Sequence, residues 1–125
     1  MNRKLKFNKS INEAIYQAMK TDKKIICYGL GVTDPRRVFY STENLVEKFG
    51  KERVFDIPTS ENAMTGVAIG LANMGSKVIL SHQRVDFSFL SMDQIVNSLS
   101  KWHYMFGGLK NLPITIRLII GRGWG

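Results

Sequence analysis

Glu61 is the residue whose type and setting point to chemistry. It falls within V-F-D-I-P-T-S-E-N-A-M-T-G-V-A-I-G-L-A-N-M-G, the stretch from Val54 to Gly75. The pattern predicts a short buried strand over 54–57, a turn stiffened by Pro58, and a helix with Ser60 as its N-cap. The Ser60 hydroxyl would accept from amides left free in the first turn. Glu61 then stands where the helix dipole favours negative charge. Small and apolar residues follow as far as Gly75, the expected stop. Gly66 and Gly70 each cost roughly 1 kcal/mol relative to alanine inside a helix, which predicts a close approach to this backbone. A carboxylate at the mouth of a packed, small-residue helix is a chemical feature. The plainer reading is an acid that complements the dipole, and the stretch needs support from elsewhere.

Other candidates are weaker. Gly29, Gly31 and Val32-Thr33-Asp34 begin like a dinucleotide fingerprint. Asp34 replaces the third glycine and Pro35 interrupts the helix that should open there, which excludes that reading. Arg36 and Arg37 lie in an expected exposed loop, where they would suit a phosphate or a partner carboxylate. Cys27 is the single cysteine, set in I-I-C-Y, and is expected to be an inert buried thiol in a reducing compartment. His82 and His103 are read as surface or packing residues.

The elements that must position Glu61 alternate in type. Ser10 and Glu13 form a capping box before Ile11, Ala14, Ile15, Ala18 and Met19 at helical spacing. I-I-C-Y-G-L is of strand length, and a short helix from Ser41 or Thr42 to Phe49 follows it. After the Glu61 helix come a strand over 78–81 and an irregular link from His82 to Phe87. A second capping box at Ser91 and Gln94 opens a helix through Trp102, and a last strand lies in I-T-I-R-L-I-I. Strands alternating with helices imply parallel pairing through right-handed crossovers. The expected fold is therefore α/β, a three-layer parallel sheet with helices on both faces. Ligands in such sheets bind beyond the carboxyl ends of the strands. Glu61 and the segment 83–87 both fall at that edge.

Composition narrows the classes. The chain has 125 residues, 44% of them hydrophobic, which suits one domain or a piece of one. No apolar run approaches the ~18 residues of a membrane span, and M-N-R-K-L-K-F-N-K-S lacks the apolar core of a signal peptide. A cytoplasmic protein is expected. The net charge of +8 permits an acidic partner or nucleic acid. The lysines are scattered, however, and a solvated surface is the better reading.

Three separated motifs, D-I-P-T-S-E-N-A-M-T-G-V-A-I-G-L-A, D-F-S-F-L-S-M-D-Q-I-V-N-S-L-S-K-W-H-Y-M-F-G-G and L-P-I-T-I-R, occur in this order between Ile11 and Arg117. Together they resemble the beta subunit of the thiamine-diphosphate-dependent decarboxylating component of 2-oxo-acid dehydrogenase complexes. That subunit is related to the second half of transketolase. By this resemblance residues 1–125 are the N-terminal part of a pyrimidine-binding domain, incomplete at its C-terminus and without the C-terminal transketolase-type domain. Glu61 matches the catalytic glutamate that hydrogen-bonds N1′ of the cofactor's aminopyrimidine. Phe87 matches the aromatic residue against that ring, and Asp93 an acidic helix residue near the site. Ile114 matches a position whose carbonyl helps hold a monovalent cation in some members. A carboxylic acid at N1′ favours the tautomer whose amino group takes the thiazolium proton.

The resemblance also implies a partner. An alpha subunit would carry the diphosphate and Mg2+, in an α2β2 heterotetramer. The chain alone would be inactive and prone to self-association through an apolar sheet edge. The implied activity is oxidative decarboxylation of a 2-oxo acid. The alternatives are transketolase-type ketol transfer in sugar metabolism and a non-enzymatic basic binding module. Two departures stand out. Leu30 follows the strand-ending Gly29 where the family commonly has an acid, and the tail R-L-I-I-G-R-G-W-G differs from the shorter glycine-proline form.

Overall fold

The computed structural model describes residues 3–121, so residues 122–125 at the end of the divergent tail lie outside it. Strands β1 (Ile25–Gly29), β2 (Val54–Asp56), β3 (Lys77–His82) and β4 (Ile114–Leu118) form one all-parallel sheet in the order β2-β1-β3-β4. Cys27 stands opposite Val54 and Ile79, and Leu80 stands opposite Ile116. Alternation along the strands feeds two cores. Ile25, Cys27 and Val54 pack with Ile15 and Met19 of α1 (Phe7–Thr21) and Leu45 of α3 (Leu45–Phe49). Tyr28, Val78 and Leu80 pack on the other face with Met64 and Ala68 of α4 (Glu61–Asn73). This is the expected α/β sheet with helices on both faces.

Arg53 ties the first layer together. Its guanidinium donates to the carbonyls of Met19 (3.0 Å), Asp22 (2.9 Å) and Ile25 (3.0 Å) and lies over the Phe49 ring, 5.2 Å from its centroid. These carbonyls lie where α1 ends and β1 begins, a junction at which the last helical carbonyls lack intrahelical donors. On the second face the Tyr28 hydroxyl donates to the Met64 carbonyl at 2.6 Å, and its ring stacks on Phe55.

Helix α4 begins and ends where its residues predict. Ser60 is the extended N-cap, although its hydroxyl makes no capping hydrogen bond. At the other end the Ser76 and Gly75 amides donate to the carbonyls of Leu71 and Ala72, with Gly75 at φ +98°. That paired closure requires a left-handed residue, which glycine supplies at least cost.

Four expectations need correction. Helix α1 starts a turn before Ser10, whose hydroxyl donates to the Lys6 carbonyl at 3.3 Å, while Glu13 pairs with Arg3. Once the Ile11–Ile15–Met19 stripe is packed, extending a helix by a turn is cheap and overrides the local cap motif. Ser91 also caps nothing. The chain there is one helical run of changing pitch, 3-10 over Val85–Ser91, π-helical over Asp93–Leu99, then α5 (Ser100–Met105), and the Ser91 hydroxyl donates to the Ser88 carbonyl. The loop before Ser41 contains a helical turn, α2 (Arg37–Tyr40), whose four residues have φ between +46° and +63°. This turn is wound left-handed and buries Val38, and Arg37 pairs with Glu47 at 2.6 Å. Finally, the glycines of α4 are not closely approached. A β-carbon at Gly66 would meet only the Gln94 side chain, at 3.5 Å, and nothing lies within 4 Å at Gly70.

Among the described residues no helix is long and apolar enough to cross a membrane.

Candidate active site

The crossover from β1 runs to one side of the sheet and that from β3 to the other, which opens a crevice at their carboxyl ends. A cleft of ≈ 400 Å³ occupies this place, walled by Leu30, Gly31, Asp56, Glu61, Gln83 and Phe87. Glu61 and Phe87, 26 positions apart in the chain, thus face the same space.

Each wall has a local cause. Pro58 and the extended Ser60 stop β2 and aim the first turn of α4 across the sheet edge, so that Glu61 heads the helix with 5% exposure. No hydrogen bond engages its carboxylate among the described residues. Phe87 is 37% exposed on the 3-10 segment, with the Arg84 guanidinium 5.9 Å from its ring centroid and Arg84 itself paired to Asp86. The loop after β1 is fixed by Asp56, whose carboxylate accepts from the amides of Val32 and Thr33, both at 2.8 Å, and from the Thr33 hydroxyl. At Gly31, φ is +76° and a β-carbon would come within 2.9 Å of Asp34 Oδ2 and 3.0 Å of Gln83 Nε2. The positive φ favours glycine at this wall, and a larger residue would also have to displace those two side-chain ends. Leu30, buried where the resemblance led us to expect an acid, makes the adjoining wall apolar.

His82 is not a surface residue. It ends β3 with 0% exposure, on the same face as Val78 and Leu80. Neither ring nitrogen has a hydrogen-bond partner among the described residues. Burial holds the imidazole below its ordinary pKa, and the negative charge of Glu61 partly opposes that shift. The histidine therefore lies within electrostatic reach of the cleft acid. The detectable signal was strand alternation: V-I-L-S-H continues the buried even positions through His82. Reading H-Q-R as a polar link hid it.

Two expected site residues lie apart from the cleft. Asp93 is exposed on the π-helical segment, where it accepts from Asn97 (2.9 Å) and Gln94 (3.1 Å). Ile114 opens β4 opposite Val78, at the amino end of the sheet, and packs against the Tyr28–Leu80 core. Among the described residues no group of three or more His, Cys, Asp and Glu side chains could hold a metal ion. A second groove of ≈ 420 Å³, lined by Phe7, Ile11, Val38 and Ile119 with Arg117, is apolar and holds neither Glu61 nor Phe87.

An acid and an aromatic ring converging on a cleft of this size can hold a flat heterocycle by one charged hydrogen bond and one ring face. The cleft residues therefore fit an aminopyrimidine.

Comparison with known proteins extends this description. The chain is 37% identical over 109 residues to the 3-methyl-2-oxobutanoate dehydrogenase subunit beta of Mycobacterium tuberculosis, covering 87% of this chain and 31% of that protein. It is 36% identical over 108 residues to the mitochondrial pyruvate dehydrogenase E1 component subunit beta-1 of Arabidopsis thaliana, covering 86% and 30%. It is 35% identical over 114 residues to the pyruvate dehydrogenase E1 component subunit beta of Staphylococcus aureus, covering 91% and 35%. The chain thus spans about a third of the length of these curated relatives. The family model described as the transketolase pyrimidine binding domain matches residues 3–121, every residue from the start of α1 through the end of β4, and the chain belongs to that family.

Proposed function

We propose that this chain forms the pyrimidine half of a thiamine-diphosphate site, in the beta subunit of an enzyme that oxidatively decarboxylates a 2-oxo acid. One observation carries the reading. Glu61 is almost wholly buried, has no hydrogen-bond partner for its carboxylate among the described residues, and heads a helix at the wall of a ≈ 400 Å³ cleft. Its oxygens still reach the cleft, where they are free to hydrogen-bond a group that enters.

In this reading Glu61 meets N1′ of the aminopyrimidine and holds a proton at that atom, while Phe87 presents its ring to the heterocycle. Leu30 and Leu90 line the cleft with apolar surface. When bound, thiamine diphosphate supplies the nucleophilic carbon and the electron sink that decarboxylation of a 2-oxo acid requires. Diphosphate and Mg2+ belong to an alpha subunit, in an α2β2 assembly in the cytoplasm. The relatives at 35–37% identity are named as 2-oxo-acid dehydrogenase beta subunits, which supports this branch over ketol transfer.

The test is co-expression of the full-length chain with its alpha subunit and assay of carbon dioxide release from a panel of 2-oxo acids and ketose phosphates. Thiamine-diphosphate-dependent release is expected, and Glu61→Gln is expected to lower turnover by at least about 100-fold, the scale of a lost acid–base group. Near-normal turnover by that variant, or ketol transfer without carbon dioxide release, would overturn the proposal.

A further inference from the structure

A second cavity, of ≈ 250 Å³, adjoins the Glu61 cleft. Asp34, Arg36, Val38, Phe39 and Gln83 line it, and Gln83 also walls the cleft, so the two spaces meet at this side chain. Gly31 completes the boundary. It borders the cleft, and both Asp34 Oδ2 and Gln83 Nε2 reach over its bare α-carbon, 2.9 and 3.0 Å from where a β-carbon would stand.

The polar groups of this cavity are placed but not engaged. Asp34 is anchored through Oδ1, which accepts from the Arg37 amide at 2.5 Å, while Oδ2 has no donor among the described residues. The Arg36 guanidinium and the Gln83 amide likewise make no hydrogen bond or ion pair among the described residues. Asp34 and Arg36 carry opposite charges, so the lining as a whole offers no net attraction to a further ion. It offers an acceptor beside two donors, with Val38 and Phe39 as an apolar back. A hydroxyl group both donates and accepts. One such group can link Asp34 Oδ2 to Gln83 Nε2, and an adjacent one can accept from Arg36. A third cavity, of ≈ 470 Å³, shares only Asp56 with the cleft, and that carboxylate already holds three donors.

We infer that the ≈ 250 Å³ cavity receives the chain of the substrate, and that the substrate is a 2-oxo acid bearing hydroxyl groups on that chain, held by Asp34, Arg36 and Gln83. The inference rests on the pyrimidine-site reading, because a molecule reacting at a cofactor seated in the cleft has this cavity beside it. Selectivity comes from the penalty on the wrong chain. A hydrocarbon chain would strip water from a carboxylate and a guanidinium and return no hydrogen bond to either.

The test uses the assembled full-length enzyme loaded with thiamine diphosphate and a matched pair of substrates, 4,5-dihydroxy-2-oxopentanoate and 2-oxopentanoate. The wild type is expected to favour the dihydroxy acid by at least about 100-fold in kcat/KM, about tenfold for each hydroxyl bonded to a charged or amide group. Arg36 is exposed and does not line the cleft. Arg36→Leu should lower that ratio about tenfold, chiefly by raising KM for the dihydroxy acid. A readout without turnover is calorimetric binding of D-gluconate, which has no 2-oxo group, against hexanoate. Gluconate should bind the wild type at least about tenfold more tightly, and Arg36→Leu should remove that margin. Equal use of the two substrates, or preference for 2-oxopentanoate, would overturn the inference and leave the pyrimidine-site reading standing, since carbon dioxide is still released. A ratio unchanged by Arg36→Leu would overturn the assignment to this cavity. If neither acid is turned over, or the variant does not assemble, the wild-type gluconate margin decides alone. If the wild type binds no thiamine diphosphate, the pyrimidine-site reading itself fails and this inference falls with it.

Discussion

Gly29 and Ser81 touch backbone to backbone at the end of the sheet: a β-carbon on Gly29 would lie 2.1 Å from the Ser81 carbonyl oxygen. This contact closes the β1–β3 seam directly beneath the crevice. With φ at +153°, no other residue fits. Gly29→Ala should therefore cost about 3 kcal/mol or more in urea unfolding. Gly70→Ala on α4, with nothing within 4 Å, should instead gain up to about 1 kcal/mol. Equal effects at the two sites would contradict this account.

Arg53 makes three hydrogen bonds to main-chain carbonyls and covers the Phe49 ring. Lysine cannot reproduce a planar fork that reaches three acceptors. Arg53→Lys should lose about 1–3 kcal/mol by the same measurement, although charge and much of the stem are retained. A loss under about 0.5 kcal/mol would show that these bonds are replaced by water without cost.

His82 also predicts how folding responds to acid. Burial, the larger influence, holds its pKa below the ordinary 6.5 despite the opposing charge of Glu61. The unfolded chain thus takes up a proton near pH 6.5 that the folded chain resists. The associated stability is complete above that pH and is lost as pH falls toward the folded-state value. The slope between pH 6.5 and 5 should approach, and not exceed, about 1.4 kcal/mol per pH unit from this group. His82→Phe should flatten it, and an unchanged slope would assign the acid sensitivity to other residues.

The position of Glu61 was readable because several local signals agree there. A proline stops the strand, an extended serine precedes the helix, and Gly75 closes it with the left-handed turn that glycine favours. The alternation of strands and helices likewise predicts a parallel sheet with its crevice beside Glu61. His82 was hidden because polar neighbours masked the continuation of strand period. Ser10 and Ser91 carry cap motifs that packing overrides, since a helix anchored by Ile15 and Met19 extends past a local stop at little cost. The left-handed turn had no signature at all: Arg37, Val38, Phe39 and Tyr40 include neither glycine nor asparagine.

That turn bears on how heat-tolerant this fold can become. Each non-glycine residue wound the wrong way forfeits roughly 1–2 kcal/mol, and α2 holds four in succession. Tyr40 is half exposed and lines neither the Glu61 cleft nor the groove beside Arg117. Glycine there would relieve part of that penalty, less the freedom it adds to the unfolded chain. An engineer seeking a hardier protein has in Tyr40 a reserve at a position that does not itself line the cleft.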